Sequence, residues 1–168
     1  QPDSVAISPD GKFAVIVIEN QRDEDLGDGA PPQLPAGKVV VLNLIAAAPA
    51  DWVQSDVDLT GLAALYPADP EPEYVDINSS NIAVITLQEN NHIVLLQLAN
   101  NEIIHHFPAG SVDLVNVDLT DNRPAIIKTN EVQSARLREP DGVSWINDDY
   151  FATANEGDLD GGTRGFTV

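Results

Sequence analysis

The sequence contains no cysteine and few basic residues, and each shortage excludes a class of protein. Without cysteine, the chain can form neither a disulfide framework nor a thiolate metal site. Only 8 lysines and arginines oppose 27 aspartates and glutamates, which gives a formal net charge of −19. Clustered lysine and arginine bind phosphates and anionic membrane surfaces, so we expect no nucleic-acid partner. Metal ions, and Ca²⁺ first, are the natural partners of so acidic a surface; solubility in a salty medium is the alternative explanation of the charge.

The sequence also lacks a long apolar run. No run reaches the roughly 18 residues that a membrane-spanning helix requires, so we predict no membrane span. No signal peptide is recognisable, and the chain begins at Gln1 directly in a strand-like motif, as a processed or trimmed chain would. Hydrophobic residues make up 43% of the 168 residues, which suffices for one folded domain with its own core.

A motif that begins with proline occurs three times. It starts at Pro2, Pro72 and Pro140, so it returns after 70 and then 68 residues. Each copy has an apolar stretch, a turn and a second apolar stretch that ends in a glutamate and an asparagine. These pairs are Glu19–Asn20, Glu89–Asn90 and Asn155–Glu156. Further apolar runs follow at residues 39–44, 52–59, 93–98, 103–107 and 165–168. Four antiparallel strands per repeat indicate the blade of a β-propeller.

We therefore predict an all-β fold, a partial β-propeller of about two and a half four-stranded blades with insertions. Blade 1 spans residues 1–70, blade 2 spans 71–110, and blade 3 begins within 139–168. The insertion at 111–138 has enough apolar residues for an extra hairpin, with the remainder of a blade boundary as the alternative. Only residues 59–66 could form a short turn of helix. Since closure needs at least four blades, we expect missing residues or another chain to complete the ring. A self-contained sandwich with a coincidental repeat is the alternative.

Acidic residues recur at one end of these strands. The start of each first strand lies at the same end as the close of the second, so Asp3, Glu73 and Asp141 should meet the glutamate–asparagine pairs. Crowded carboxylates repel one another unless a cation lies between them, and oxygen ligands suit Ca²⁺. The predicted metal ligands on the strands are Glu19, Glu73, Glu89, Asp141, Asn155 and Glu156. Capping of strand ends and turns is the alternative role.

Two acidic, glycine-containing loops leave the same end, at residues 19–29 and 155–162. Glycines let the backbone wrap around an ion while carboxylates and carbonyls bind it, although neither loop has EF-hand spacing. The predicted metal ligands in the loops are Asp23, Asp25, Asp28, Asp158 and Asp160. Solvated acidic loops are the alternative.

Other catalytic signals are weak. The sequence has no G-x-S-x-G, H-E-x-x-H or Walker motif. His105 and His106 are neighbours in a strand, so they point to opposite faces. His92 follows Glu89 and Asn90 closely and could join the acidic end of the strands, but we interpret it as a lone surface histidine. Arg164 follows the second acidic loop and is the candidate for binding a substrate phosphate beside Ca²⁺, with ordinary surface charge as the alternative.

Several motifs resemble known families. Ser8–Lys12 and Ala154–Asp158 resemble YVTN-type surface-protein propeller repeats. A second resemblance is to secreted bacterial propeller proteins of the phytase-like, choice-of-anchor type, and it rests on Glu71–Val75, Leu87–Asn91 and Thr153–Asp158. Some of those proteins are labelled alkaline phosphatase or esterase-like. The resemblance implies an extracellular or cell-surface location, bound Ca²⁺ and hydrolysis of a phosphorylated small molecule by metal-activated water.

Two functions remain in competition. The first is an extracellular calcium-binding propeller segment that forms part of a calcium-dependent phosphoesterase. The second is a non-catalytic cell-surface or matrix propeller that serves binding or structure. A third possibility is an engineered or proteolytic piece that associates with its complementary half.

Overall fold

The computed structural model describes residues 1–23, 25–27, 29–120 and 122–157, together with the backbone of 165–167. This part of the chain is all-β, with four antiparallel sheets of which none closes into a barrel. The predicted partial propeller is thereby confirmed. The helix considered for residues 59–66 is absent from the described structure, where turns and bends occupy that segment.

Two four-stranded sheets form the first two blades, each with its strands in sequence order. The first contains β1 (Pro2–Ile7), β2 (Phe13–Ile18), β3 (Lys38–Asn43) and β4 (Val53–Val57), with a 3₁₀ turn at Pro49–Asp51 before β4. The second contains β5 (Pro72–Ile77), β6 (Ile82–Leu87), β7 (His92–Gln97) and β8 (Glu102–Pro108). Valine and isoleucine dominate the inner strands because β-branched side chains pack well on a pleated surface.

The other two sheets are smaller. The predicted extra hairpin is present as β9 (Ser111–Val117) and β10 (Glu131–Leu137), which pair only with each other in the described structure. The third blade contains β11 (Pro140–Trp145), β12 (Phe151–Asn155) and β13 (Gly165–Thr167).

The turn between the first two strands of each blade is built in the same way. Ser8 Oγ accepts hydrogen bonds from the backbone of Lys12 (3.1 Å) and Phe13 (2.9 Å). Asn78 Oδ1 accepts from Ser80 (3.1 Å) and Ile82 (2.9 Å). In the third blade the acceptor lies one residue later in the turn, at Asn147, whose Oδ1 accepts from Asp149 (2.8 Å) and Tyr150 (3.0 Å). The repeat seen in the sequence is therefore a repeat of hydrogen bonding.

Face-to-face stacking of blades makes the core. The first blade packs on the second through β1, β2 and β5, and the second packs on the third through β5, β6 and β11. The larger core lies between the first two blades and includes Val15, Val17, Val39, Val41, Val75, Ile77, Ile85, Val94 and Leu96. The smaller core joins Val84 and Ile93 to Val143 of the third blade.

The first blade leaves one apolar face uncovered. Val5 and Ile7 are each 65% exposed, whereas Val75 and Ile77, which occupy the same positions in the second blade, are 3% and 5% exposed. The difference arises because the first blade covers this face of the second, and no described residue covers the face that carries Val5 and Ile7.

The covered face of the second blade and the uncovered face of the first predict different effects of an isoleucine-to-alanine substitution on stability. Ile77→Ala should lower the free energy of unfolding by about 2–5 kcal/mol, because it leaves a cavity between blades. Ile7→Ala should change it by no more than about 0.5 kcal/mol, because the side chain is already solvated. Urea unfolding of both variants measures the difference. Equal losses would contradict an open face and would indicate that another chain covers it.

Candidate metal site

An irregularity in each first strand positions the acidic residues. The prolines that open the blades lie opposite Ile18, Leu87 and Asn155 on the neighbouring strand. In all three blades the pairing register shifts directly after the proline. Such bulges redirect side chains and are common beside functional sites. Asp3, Glu73 and Asp141 each follow the proline, at the shift.

Three carboxylates converge at this end of the first two blades. Asp3 in β1, Glu19 just after β2 and Glu73 in β5 each offer an oxygen, and these oxygens all lie within 4.8 Å of one another. We call these three residues the carboxylate cluster. Oε2 of Glu73 is shielded from solvent and has no hydrogen-bond partner among the described residues. The cluster therefore contains a buried acceptor that a cation could satisfy.

The electrostatics of the cluster extend to two further acids. Burial raises the pKa of Glu73 to about 8, and the charges of Glu19, Asp3, Glu89 and Asp141 add to the increase. Burial and then Asp3 likewise raise the pKa of Glu19. Shifts of this kind mark carboxylates that are buried, and that also lie near other carboxylates without a sufficient counter-charge.

The third blade carries its own acidic pair beside the cluster. Burial raises the pKa of Asp141, and the carboxylates of Glu156 and Asp3 add to the increase. Glu156 also accepts a hydrogen bond from Gln88 Nε2 (3.2 Å) across the blade boundary. Asp141 and Glu156 thus continue the acidic surface from the first blade to the third.

The glutamate–asparagine pairs do not occupy equivalent positions. Glu19 and Glu156 both come one residue after the partner of the blade proline, but in the second blade that position belongs to Gln88. Glu89 lies one residue further on, where its Oε1 is 3.7 Å from Arg22 Nε. Asn155 is buried and its Oδ1 accepts a hydrogen bond from Thr153 Oγ1 (3.0 Å).

The predicted loop ligands lie elsewhere. Asp23 and Asp25 are exposed, and Asp23 Oδ1 accepts the backbone hydrogen bond of Asp25 (3.0 Å). Within the described ranges, neither joins a group of three converging ligand side chains. The remaining predicted residues, Asp28, Asp158, Asp160 and Arg164, lie outside the described residues.

Two buried carboxylates that sequence analysis missed hold the first acidic loop in place. Glu71 Oε2 accepts a hydrogen bond from the backbone of Asn20 (3.1 Å), and Asp69 Oδ2 accepts one from Gln33 (2.6 Å). Burial raises the pKa of Glu71 to about 9, and the neighbouring Asp69 adds to the increase. A glutamate lies directly before the blade proline at both Glu71 and Glu139. This repetition was the signal in the sequence that could have identified Glu71 as a structural carboxylate.

The histidine prediction needs correction. His92 is 4% exposed rather than a surface residue, and its ring contacts the ring of His106. His92 begins β7 on the same face as Val94 and Leu96, which belong to the larger core between the first two blades, so its side chain is buried there.

The sequence was also compared with known protein families. It matches the family model of the choice-of-anchor I domain over residues 1–163. The chain belongs to this family. Membership in the choice-of-anchor I family indicates a domain of a cell-surface protein. A search of curated proteins finds no match. No helix among the described residues is long and apolar enough to cross a membrane.

The raised pKa of Glu73 predicts how stability depends on pH. Its ordinary pKa is 4.5 and its pKa in the fold is about 8, so the folded state binds the proton more tightly across this window. The stabilising effect is complete below the lower value and is lost as the pH rises through the upper one. In chelator, the melting temperature should therefore fall between about pH 5 and pH 9.

Substitution isolates this effect. Glu73→Gln should reduce the slope of melting temperature against pH, whereas Glu102→Gln, at an exposed position at the start of β8, should leave it unchanged. A wild-type profile that is flat, or that rises with pH, would contradict the assignment.

Proposed function

We propose that this choice-of-anchor I domain is a cell-surface propeller segment that binds Ca²⁺ at the carboxylate cluster. The observation that carries the proposal is the convergence of Asp3, Glu19 and Glu73, whose carboxylate oxygens lie within 4.8 Å of one another.

The chemistry of the donors favours calcium. Ca²⁺ takes six to eight oxygen ligands, often carboxylates, in a flexible geometry. The cluster supplies three carboxylates, and Asp141 and Glu89 lie near enough to raise the pKa of Glu73. Water would complete the shell. A divalent ion would give Glu73 Oε2 the partner that it lacks among the described residues and would offset the repulsion within the cluster.

The position of the cluster suggests what the ion would do. Asp3 and Glu19 belong to the first blade, whereas Glu73 belongs to the second. An ion held by all three would cross-link two blades beyond their apolar contact. Its first effect would be on the stability of that blade–blade contact.

Calcium should therefore raise the melting temperature. For one site, a free concentration a hundred times the Kd stabilises the fold by about 2.7 kcal/mol. Glu73→Gln should abolish most of the response, because it removes a negative ligand shared between blades. Glu102→Gln is the matched control and should respond like the wild type. A wild-type melting temperature unchanged by millimolar Ca²⁺ would overturn the proposal.

Phosphoester hydrolysis at this ion is the second candidate function. Its specific support is Arg22, whose Nε lies 3.7 Å from Glu89 Oε1 and whose charge opposes the increase in the pKa of Glu19 in the cluster. In such a site the ion would orient a phosphate and lower the pKa of an attacking water, while an arginine stabilises the negative charge of the phosphate. Arg164, the arginine identified from the sequence, would also stabilise the negative charge of the phosphate.

A generic aryl phosphate distinguishes the enzyme from a purely structural calcium propeller. Hydrolysis should require Ca²⁺, cease in chelator and fall at least about tenfold in Glu73→Gln, which corresponds to a barrier increase of about 1.4 kcal/mol. Activity that survives chelation would exclude this mechanism. A folded, calcium-bound protein without activity would favour the non-catalytic surface propeller.

A complementary chain is the proposed partner of the open face. The exposed Val5 and Ile7 support it, since the same positions of the second blade are buried under a neighbouring sheet. A further blade, from residues outside this sequence or from another chain, would cover them in the same way. In the completed ring, Ile7→Ala should become as destabilising as Ile77→Ala.

A further inference from the structure

Two histidines face each other on the outer strands of the second blade. His92 lies opposite Pro108, and His106 lies opposite Val94, so the two histidines are diagonal neighbours on one face of the β7–β8 pair. His92 Nε2 is 3.0 Å from His106 Nδ1. The ring centroids are 5.2 Å apart and the rings are tilted by 37°. His106 is exposed, so the pair can be reached from solvent although His92 is buried.

The environment keeps His92 in the form that a metal requires. Burial lowers the pKa of His92 to about 4, and the nearby His106 adds to the decrease. The imidazole is therefore neutral near pH 7, and a neutral imidazole offers a lone pair to a metal. If both rings carry their protons on the outward nitrogens, the two nitrogens that face each other both have a free lone pair. The rings meet nearly end to end, so a rotation of the exposed His106 ring would turn the two lone pairs toward one ion.

The spacing of these nitrogens selects a geometry. Metal–nitrogen bonds are about 2.0–2.1 Å long, so nitrogens 3.0 Å apart would subtend an angle of about 95° at a shared ion. That angle is close to the right angle of tetragonal Cu²⁺ or Ni²⁺ and narrower than the tetrahedral angle of structural Zn²⁺.

We propose that His92 and His106 form a two-histidine site for Cu²⁺ or Ni²⁺, with water in the remaining positions. The site differs from the carboxylate cluster in its donors, since imidazole nitrogens suit Cu²⁺ and Ni²⁺ whereas Ca²⁺ takes oxygen ligands. The strong negative charge of the chain raises the local concentration of any cation. Without a metal, the same nitrogens form a hydrogen bond between rings.

The chain offers a matched control for this site. His105 precedes His106 in β8 and is also exposed, but it lies opposite Leu95 and belongs to the other face. Its ring contacts Phe107 rather than His92, with centroids 5.3 Å apart. His105→Gln and His106→Gln therefore remove the same group from neighbouring exposed positions.

Titration with Cu²⁺ tests the proposal. The buffer contains excess Ca²⁺, which occupies the carboxylates. Wild type and His105→Gln should bind one ion with equal affinity, and His106→Gln should bind it at least about tenfold more weakly. The electron paramagnetic resonance spectrum should show coupling to two nitrogens in the first two proteins. A melting curve for each variant confirms that it is folded.

The contrary results are distinct. Equal affinity in His105→Gln and His106→Gln, or a spectrum with oxygen ligands only, would overturn the two-histidine site and leave an inter-ring hydrogen bond as the role of the pair. Neither result bears on calcium, because Glu73→Gln and its melting response test the carboxylate cluster separately.

Discussion

One tight turn between β6 and β7 holds the starts of two blades. Asn90 Oδ1 accepts the backbone hydrogen bond of Glu71 (2.8 Å), and Asn90 Nδ2 donates to the carbonyl of Asp69 (3.0 Å). Asn91 Oδ1 accepts the backbone hydrogen bond of Glu139 (3.0 Å). Both asparagines are buried, and the loss of either partner would strand a buried polar group. The first strands of the second and third blades, and therefore Glu73 and Asp141, take their positions from this turn.

The sequence of the turn has a physical explanation. Asn91 has a φ of 48°, in the left-handed region that asparagine tolerates better than most residues with a side chain. Asparagine also carries a donor and an acceptor, so one side chain can join two segments of backbone. The two adjacent asparagines serve different blades because successive side chains leave the turn in different directions.

Much of the architecture could be predicted because it repeats. Proline, the turn residue and the β-branched runs recur at spacings that differ by no more than one residue, and strand alternation then determines which side chains share an end of the sheet. The predicted all-β propeller and the choice-of-anchor family are confirmed on that basis. The convergence of Asp3 and Glu73 follows from the same geometry, because both occupy the position after the proline.

The details that the sequence could not supply depend on one-residue shifts and on burial. Alignment by residue identity places Glu89 at the position of Glu19. The strand pairing instead places Gln88 there, so Glu89 lies one residue further on and has different neighbours. The loop clamps Asp69 and Glu71 were missed because nothing local shows that a carboxylate will be buried beneath a loop from another blade. His92 was misplaced for a related reason, since its partner His106 lies across a strand pair.

The same turn also separates two kinds of chemistry. Glu89 precedes the two asparagines and adds its charge to the carboxylate environment of Glu73, whereas His92 follows them and meets His106 on the outer strands. Hard oxygen donors therefore gather on the inner strands near the blade starts, and nitrogen donors lie further out on the same sheet. The asparagines are held by backbone groups at Asp69 and Glu71, at Glu139 and at Gly110, whose carbonyl accepts from Asn91 Nδ2 (3.0 Å). Binding at the carboxylate cluster would accordingly appear as stability of the contact between the first two blades, whereas binding at the histidines would stabilise the β7–β8 pair within the second blade.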